Sequence, residues 1–157
     1  MAVLRGLPRR WRSALALHLE DSDPEALLAR RPGPDTWSAL EHAGHVRDVI
    51  HALDIRVQRV LREDEPVLPG THVTPPAGAN EQGVAVVLAA LTVSVDQLAR
   101  TILVTPAGHW GRTGLRGRVR LTALDLVREA VHEAVHHLAA AEAAIARLRL
   151  DASATAG

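Results

Sequence analysis

Apolar residues return every three or four positions along three long stretches of this chain, the spacing of helices with one buried face. Between about 36 and 62 the stripe is Leu40, Ala43, Val46, Ile50, Leu53, Val57 and Leu61. Ser38 and Glu41 stand three apart at its start, which is capping-box spacing. A second stripe, Val84, Val87, Leu88, Leu91, Val95, Leu98 and Ile102, predicts a helix over about 81–104 with Asn80 as its cap. Leu124, Val127, Val131, Val135, Leu138 and Ile145 predict a last helix over about 121–149. A shorter one, over about 8–20, opens at Pro8, a residue suited to a first turn. DSDPEALLARRPGPD follows it as a short helical turn. EDEPVLPGTHVTPPAGA and TPAGHWGRTGLRGR are punctuated by Pro or Gly and read as loops. No strand pattern competes. The expected architecture is all-α, a four-helix bundle over 1–150 with a disordered tail, 151–157.

Composition narrows this picture. A chain of 157 residues is long enough for one core, but it has no Phe or Tyr and three Trp, so that core must close through small side chains. All 18 basic residues are Arg, and 18 acidic residues cancel them. A net charge of zero argues against nucleic acid as partner. RTGLRGRVR, residues 112–120, is the nearest basic cluster; it is short, lacks an aromatic and reads as a loop. The N-terminus lacks the apolar run of a signal peptide, and no stretch approaches the ~20 apolar residues of a membrane span. A cytoplasmic protein without a membrane partner is therefore expected. With no Cys there is neither disulfide nor thiolate, so any metal must be held by His, Asp or Glu.

The nine histidines are unevenly placed. His132 and His136 lie at i and i+4 in HEAVHHL, one above the other on a helix face. Arg128 and Asp125 continue that face, which reads as the wall of a polar cleft or as a solvated flank. On the second helix His45 sits beside core residue Val46, with His42 one turn before it. Three imidazoles with a position left open is the arrangement of a catalytic zinc site. His42 is the substitute should His45 miss. His18, His51, His72, His109 and His137 read as structural or exposed.

HEAVH also matches the zinc-peptidase signature HExxH. The third ligand of one such class would fall on Glu142, ten residues after His132. An unbroken helix carries that residue about 15 Å along the axis, out of reach. Ala139 stands where a Gly would be needed to turn the chain back, and a peptidase is not expected.

TWSALEHAGHVRDV, residues 36–49, resembles the motif that opens the second helix of DinB/YfiT-like proteins, with a metal-binding His eight residues after the Trp. VREAVHEAVHHL, residues 127–138, resembles that family's H-x-x-x-H on the last helix, and GHWGRTGLRGRVRLTALDLV resembles the approach to it. The likeness covers about residues 8–149. It implies a four-helix bundle, a frequent homodimer, and a divalent metal, zinc or nickel, held by His45, His132 and His136. Relatives include thiol S-transferases and the mycothiol-dependent maleylpyruvate isomerase. Glu133 would then lie beside the ligands as a salt-bridge partner.

The expected function is accordingly that of a metal-dependent transferase or isomerase acting on a small-molecule substrate through a low-molecular-weight thiol such as mycothiol. A chain without Cys must receive its thiol as a cosubstrate. Arg47 or Arg128 would hold an anionic substrate. The alternatives are a hydrolase, with Asp48 or Glu133 assisting a metal-bound hydroxide, and a non-catalytic metal- or small-molecule-binding bundle.

Overall fold

Ser38 starts the helix on which the rest of the molecule is hung. Its hydroxyl accepts from the Glu41 N–H, and the Glu41 carboxylate accepts from the Ser38 N–H, so the expected capping box is present. Arg31 closes over the same carboxylate from the preceding loop. Burial alone would push the Glu41 carboxyl up; the Arg31 guanidinium and the Ser38 N–H hold it below its ordinary value. The cap thus survives inside the protein, where an unpaired carboxylate would not.

The structure is a computed structural model that describes residues 2–16, 23–70 and 78–155. Helix α1 spans Ala2–Ala16, α2 Pro24–Ala29, α3 Ala39–Arg62, α4 Ala79–Gln82, α5 Val84–Val104 and α6 Ala123–Thr155. The long helices α1, α3, α5 and α6 form the bundle, and α3 lies against both α5 and α6. Its core joins Leu4, Leu7 and Trp11 of α1 to Val46, Ile50, Leu53 and Val57 of α3, Leu91, Val95 and Leu98 of α5, and Leu126 and Leu138 of α6.

Several boundaries differ from the sequence reading. Pro8 lies inside α1, which begins six residues earlier than expected; its predicted end, 17–20, lies outside the described residues, as do His18 and His72. Asn80 does not cap α5. Gly83, with φ of 79°, separates α4 from α5, while the Asn80 side chain accepts from the Ser38 hydroxyl. Helix α6 continues to Thr155, into the expected tail; 156–157 lie outside the described residues. Helix α5, with 21 residues and a mean hydropathy of 1.6, is long and apolar enough to cross a membrane, contrary to the sequence reading. In this fold Val87, Leu91, Val95 and Leu98 are buried, whereas Val86, Val93, Leu103 and Val104 are exposed.

The second Gly-rich segment is ordered backbone. Strands β1 (Val67–Leu68), β2 (Thr113–Arg116) and β3 (Val119–Thr122) form a small sheet in that order, parallel then antiparallel. Gly117, with φ of 62°, takes the first central position of the tight turn between β2 and β3. The arginines of the basic cluster hold this hairpin down. Arg112 donates to the Val60 and Glu63 carbonyls, Arg116 pairs with Glu129, and Arg120 pairs with Glu65. The hairpin leads directly into α6. Thr122 and Asp125 close that helix's first turn reciprocally, so Asp125 is a capping residue here.

Gly114 allows β2 to lie close to α3. A Cβ there would stand 2.9 Å from Val60 Cγ2 and 3.0 Å from the Pro66 carbonyl oxygen. Gly114→Ala should therefore cost about 1–3 kcal/mol in urea unfolding, the range for overpacking a closed site. An unchanged unfolding midpoint would show that the sheet is free to lift away.

Candidate metal centre

Helices α3 and α6 pack against each other, and both bury very small side chains. Ala39, Ala43 and Gly44 are buried on α3, and Ala130, Ala134 and Ala141 on α6. Side chains of the two helices reach one another across this contact. There His45 of α3 meets Glu133 and His137 of α6. Glu133 Oε2 lies 3.7 Å from His45 Nε2 and 3.4 Å from His137 Nε2. One donor atom from each residue lies within 4.8 Å of the others, and His45 and His137 are buried.

The donor set fits a divalent cation. Bonds of 2.0–2.1 Å in a tetrahedral shell place neighbouring donors about 3.3 Å apart, close to the spacings found here. Two imidazoles and one carboxylate are borderline and hard ligands of the kind that zinc, nickel or iron accept. Burial pushes His137 down to about 4, with His45 adding to the effect and Glu133 opposing it. The ring is thus neutral near pH 7, as a ligand must be.

His42 supports the set from α3. Its Nδ1 lies 2.9 Å from His137 Nδ1, so one ring donates and the other accepts. This contact turns the opposite nitrogen of His137, Nε2, toward Glu133. Outer-shell bonds of this kind fix the orientation of a ligating imidazole. Burial also pushes His42 down to about 4, reinforced by His137 and His45. Trp37, just before the capping box, stacks on His137 with ring centroids 5.6 Å apart and meets His45 edge-on at 5.1 Å. A pocket of about 540 Å³ opens beside these rings. Trp37, His42 and His137 line it together with Ala140 and Ala144, and its charged residues are Asp35 and Arg147.

The sequence-predicted residues divide. His45 is in the set. His132 and His136 are exposed and stack on each other at 6.1 Å, outside it. Glu133 and His137, also at i and i+4, stand with His45 in the set that could hold a metal ion. Glu133 faces His45 and His137. Arg47 is bonded to Asp48 and Gln82 at the surface, so neither Arg47 nor Asp48 joins the set. Arg128 is exposed beside Asp125.

The physical reason is the register of α6. Of the stripe predicted inward, Leu138 and Ile145 are buried, but Val127 and Val131 are only partly covered and Leu124 and Val135 stand at 38% and 37% exposure. The alanines one position away, Ala130 and Ala134, are at 0%. One residue is about 100° of helix rotation, enough to turn His132 and His136 out and bring Glu133 and His137 in. The signal was present in the sequence as Ala130, Ala134 and Ala141, spaced by four and seven.

Substitution separates the two sets. His45→Ala, His137→Ala and Glu133→Ala should each lower metal affinity by more than the roughly 10–100-fold that outer-shell changes cost. His132→Ala and His136→Ala should leave it unchanged, with equilibrium dialysis and elemental analysis as the measurement. Loss of metal from His132→Ala alone would return the ligand set to the outer face. Acid adds a second check. Above pH 6.5, His42 and His137 are neutral in both folded and unfolded chains. Between 6.5 and about 4 the unfolded rings take up protons that the folded ones refuse. The metal-free protein should lose thermal stability across that window, and a flat melting temperature there would contradict the burial of these rings.

Comparison with known proteins places the chain. No protein of curated function matches its sequence. A solved structure described as "YfiT from Bacillus subtilis is a probable metal-dependent hydrolase with an unusual four-helix bundle topology" superposes with a TM-score of 0.77 at 16% identity. The match covers 97% of this chain and 85% of that one, and at this identity it speaks for the fold alone. The family model described as DinB superfamily matches residues 8–141, nearly the whole bundle, and the chain belongs to the DinB superfamily.

Proposed function

We propose that this protein is a metal-dependent transferase or isomerase that uses a low-molecular-weight thiol, such as mycothiol, on a small-molecule substrate. The observation that carries the reading is the His45–Glu133–His137 set beside a ligand-sized pocket, in a chain that has no thiol of its own. A divalent metal bound there would lower the pKa of a bound thiol or water and so supply a nucleophile near neutral pH. The chain's residues do the rest. Trp37, Ala140 and Ala144 offer an apolar wall for the substrate body, and Arg147 a cation for an anionic end. His42 orients His137 and presents its own ring to the pocket.

The Glu133 carboxylate cancels one unit of metal charge where three imidazoles would cancel none, so activation of the nucleophile is milder than with three neutral ligands. A thiol, whose pKa starts several units below that of water, needs less activation, and this favours the thiol reading. Hydrolysis is the second reading. It draws on the description of the YfiT protein as a probable metal-dependent hydrolase.

A thiol-consumption assay on metal-loaded protein, with an anionic electrophile and with an activated ester in parallel, tests the choice. Thiol loss should require both metal and electrophile, and Arg147→Gln should raise KM more than it lowers kcat. Ester turnover at the same rate with and without thiol would replace the transferase by a hydrolase.

A further inference from the structure

Helix α5 is apolar on nearly every side, yet only 28% of its apolar stretch is buried. A helix of that kind is ordinarily covered all round. Its inward residues, Val87, Leu91, Val95 and Leu98, pack into the bundle. Away from them runs a second stripe, Val86, Ala89, Val93, Asp96, Arg100 and Leu103, and every member of it is exposed. Steps of three and four residues alternate strictly along it, which is the spacing of a coiled-coil seam. Val86, Val93 and Leu103 are 55%, 53% and 68% exposed. The apolar surface continues beyond the stripe, since Val104 of α5 and Ile55 of α3, both exposed, line one cleft with Arg100. Contiguous exposed apolar surface of this sort marks a place of contact.

Two charges sit inside the stripe, and they select what covers it. Asp96 and Arg100 stand at i and i+4, and neither has an ion-pair partner among the described residues. Against lipid, both would be carried toward hydrocarbon together with the valines and meet no opposite charge there. Against a second copy of the same helix running the opposite way, they answer each other. A twofold axis at the level of Leu98 sets Asp96 opposite the partner's Arg100, and Arg100 opposite the partner's Asp96. The same axis sets Val93 opposite the partner's Leu103. Acid then meets base and apolar meets apolar at all four positions. A shift of one seam step in either direction sets a charge against an apolar residue, and a parallel pair brings like charges together. The apolar positions drive association, and the charges fix its direction and register.

We propose that this face of α5 is the contact with a second copy of the chain, an antiparallel α5–α5 pair about a twofold axis at Leu98. The pairing is independent of the reaction at the metal centre, since α5 contributes no residue to the His45–Glu133–His137 set. One helix face is small for a protein interface, so the dimer should dissociate in the micromolar range.

Sedimentation equilibrium of the full chain between about 1 μM and 1 mM tests this. Wild type should pass from monomer to dimer across that range. Asp96→Arg and Arg100→Asp should each weaken the dimer at least roughly tenfold, because each sets like charges across the seam. The two single variants mixed in equal amounts should recover association, as should a chain that carries both changes. A misfolded variant gains nothing from mixing, so this rescue separates a contact from a loss of structure. The register has its own readout, because the chain has no Cys. Val93→Cys oxidised together with Leu103→Cys should form disulfide-linked heterodimers faster than either variant links to itself. A wild type that stays monomeric, single variants that dimerise as wild type does, or cross-linking as fast within either variant alone would overturn the proposal. So would binding to zwitterionic lipid vesicles in place of self-association.

Discussion

The distance between α3 and α6 governs everything at the centre of this protein. Both helices bury side chains no larger than a methyl group, Ala39, Ala43 and Gly44 on one and Ala130, Ala134 and Ala141 on the other. Larger residues there would separate the axes, and a histidine on one helix would no longer reach a carboxylate on the other. A core of small aliphatics gives up area per side chain and gains close approach.

The same pair of helices shows which parts of the structure can be read from the sequence. The bundle, the capping box at Ser38 and Glu41, and the stripe of α3 all follow from apolar spacing and local hydrogen bonding. In α3 the inward positions are the larger aliphatics, so hydrophobicity and burial agree. In α6 they part company. Val127, Val131 and Val135 are more apolar than Ala130 and Ala134, yet the alanines are the ones fully buried. A reading by hydrophobicity rotates α6 by one residue and presents His132 and His136 in place of Glu133 and His137. Asp125 and Asn80 were misplaced for a related reason. Their partners, Thr122 and Ser38, were visible, but the hairpin and the 42-residue separation that join them were not.

The arginines show how a lysine-free chain spends its cations. Arg31 seals the cap of α3, and Arg112, Arg116 and Arg120 fasten the β2–β3 hairpin to α3, to α6 and to the turn before β1. A guanidinium can serve two acceptors in one plane, as Arg112 does with two carbonyls, and an ammonium cannot match that geometry. The hairpin is therefore a brace that sets where α6 begins, and through it the phase at which Glu133 and His137 arrive at α3.

The contact between His42 and His137 carries a further meaning. Two Nδ1 atoms 2.9 Å apart share a single proton. While His137 is free, that proton can belong to either ring. Once His137 Nε2 gives its lone pair to a cation, the proton of the neutral ring must sit on Nδ1, and His42 becomes the acceptor. The remaining proton of His42 is then forced onto Nε2. Occupancy of the centre is in this way written onto the pocket wall as a change of hydrogen-bond polarity. A ring that was free to accept or to donate would become a fixed donor, and the pocket would favour electron-rich ligand atoms most when the centre holds a metal.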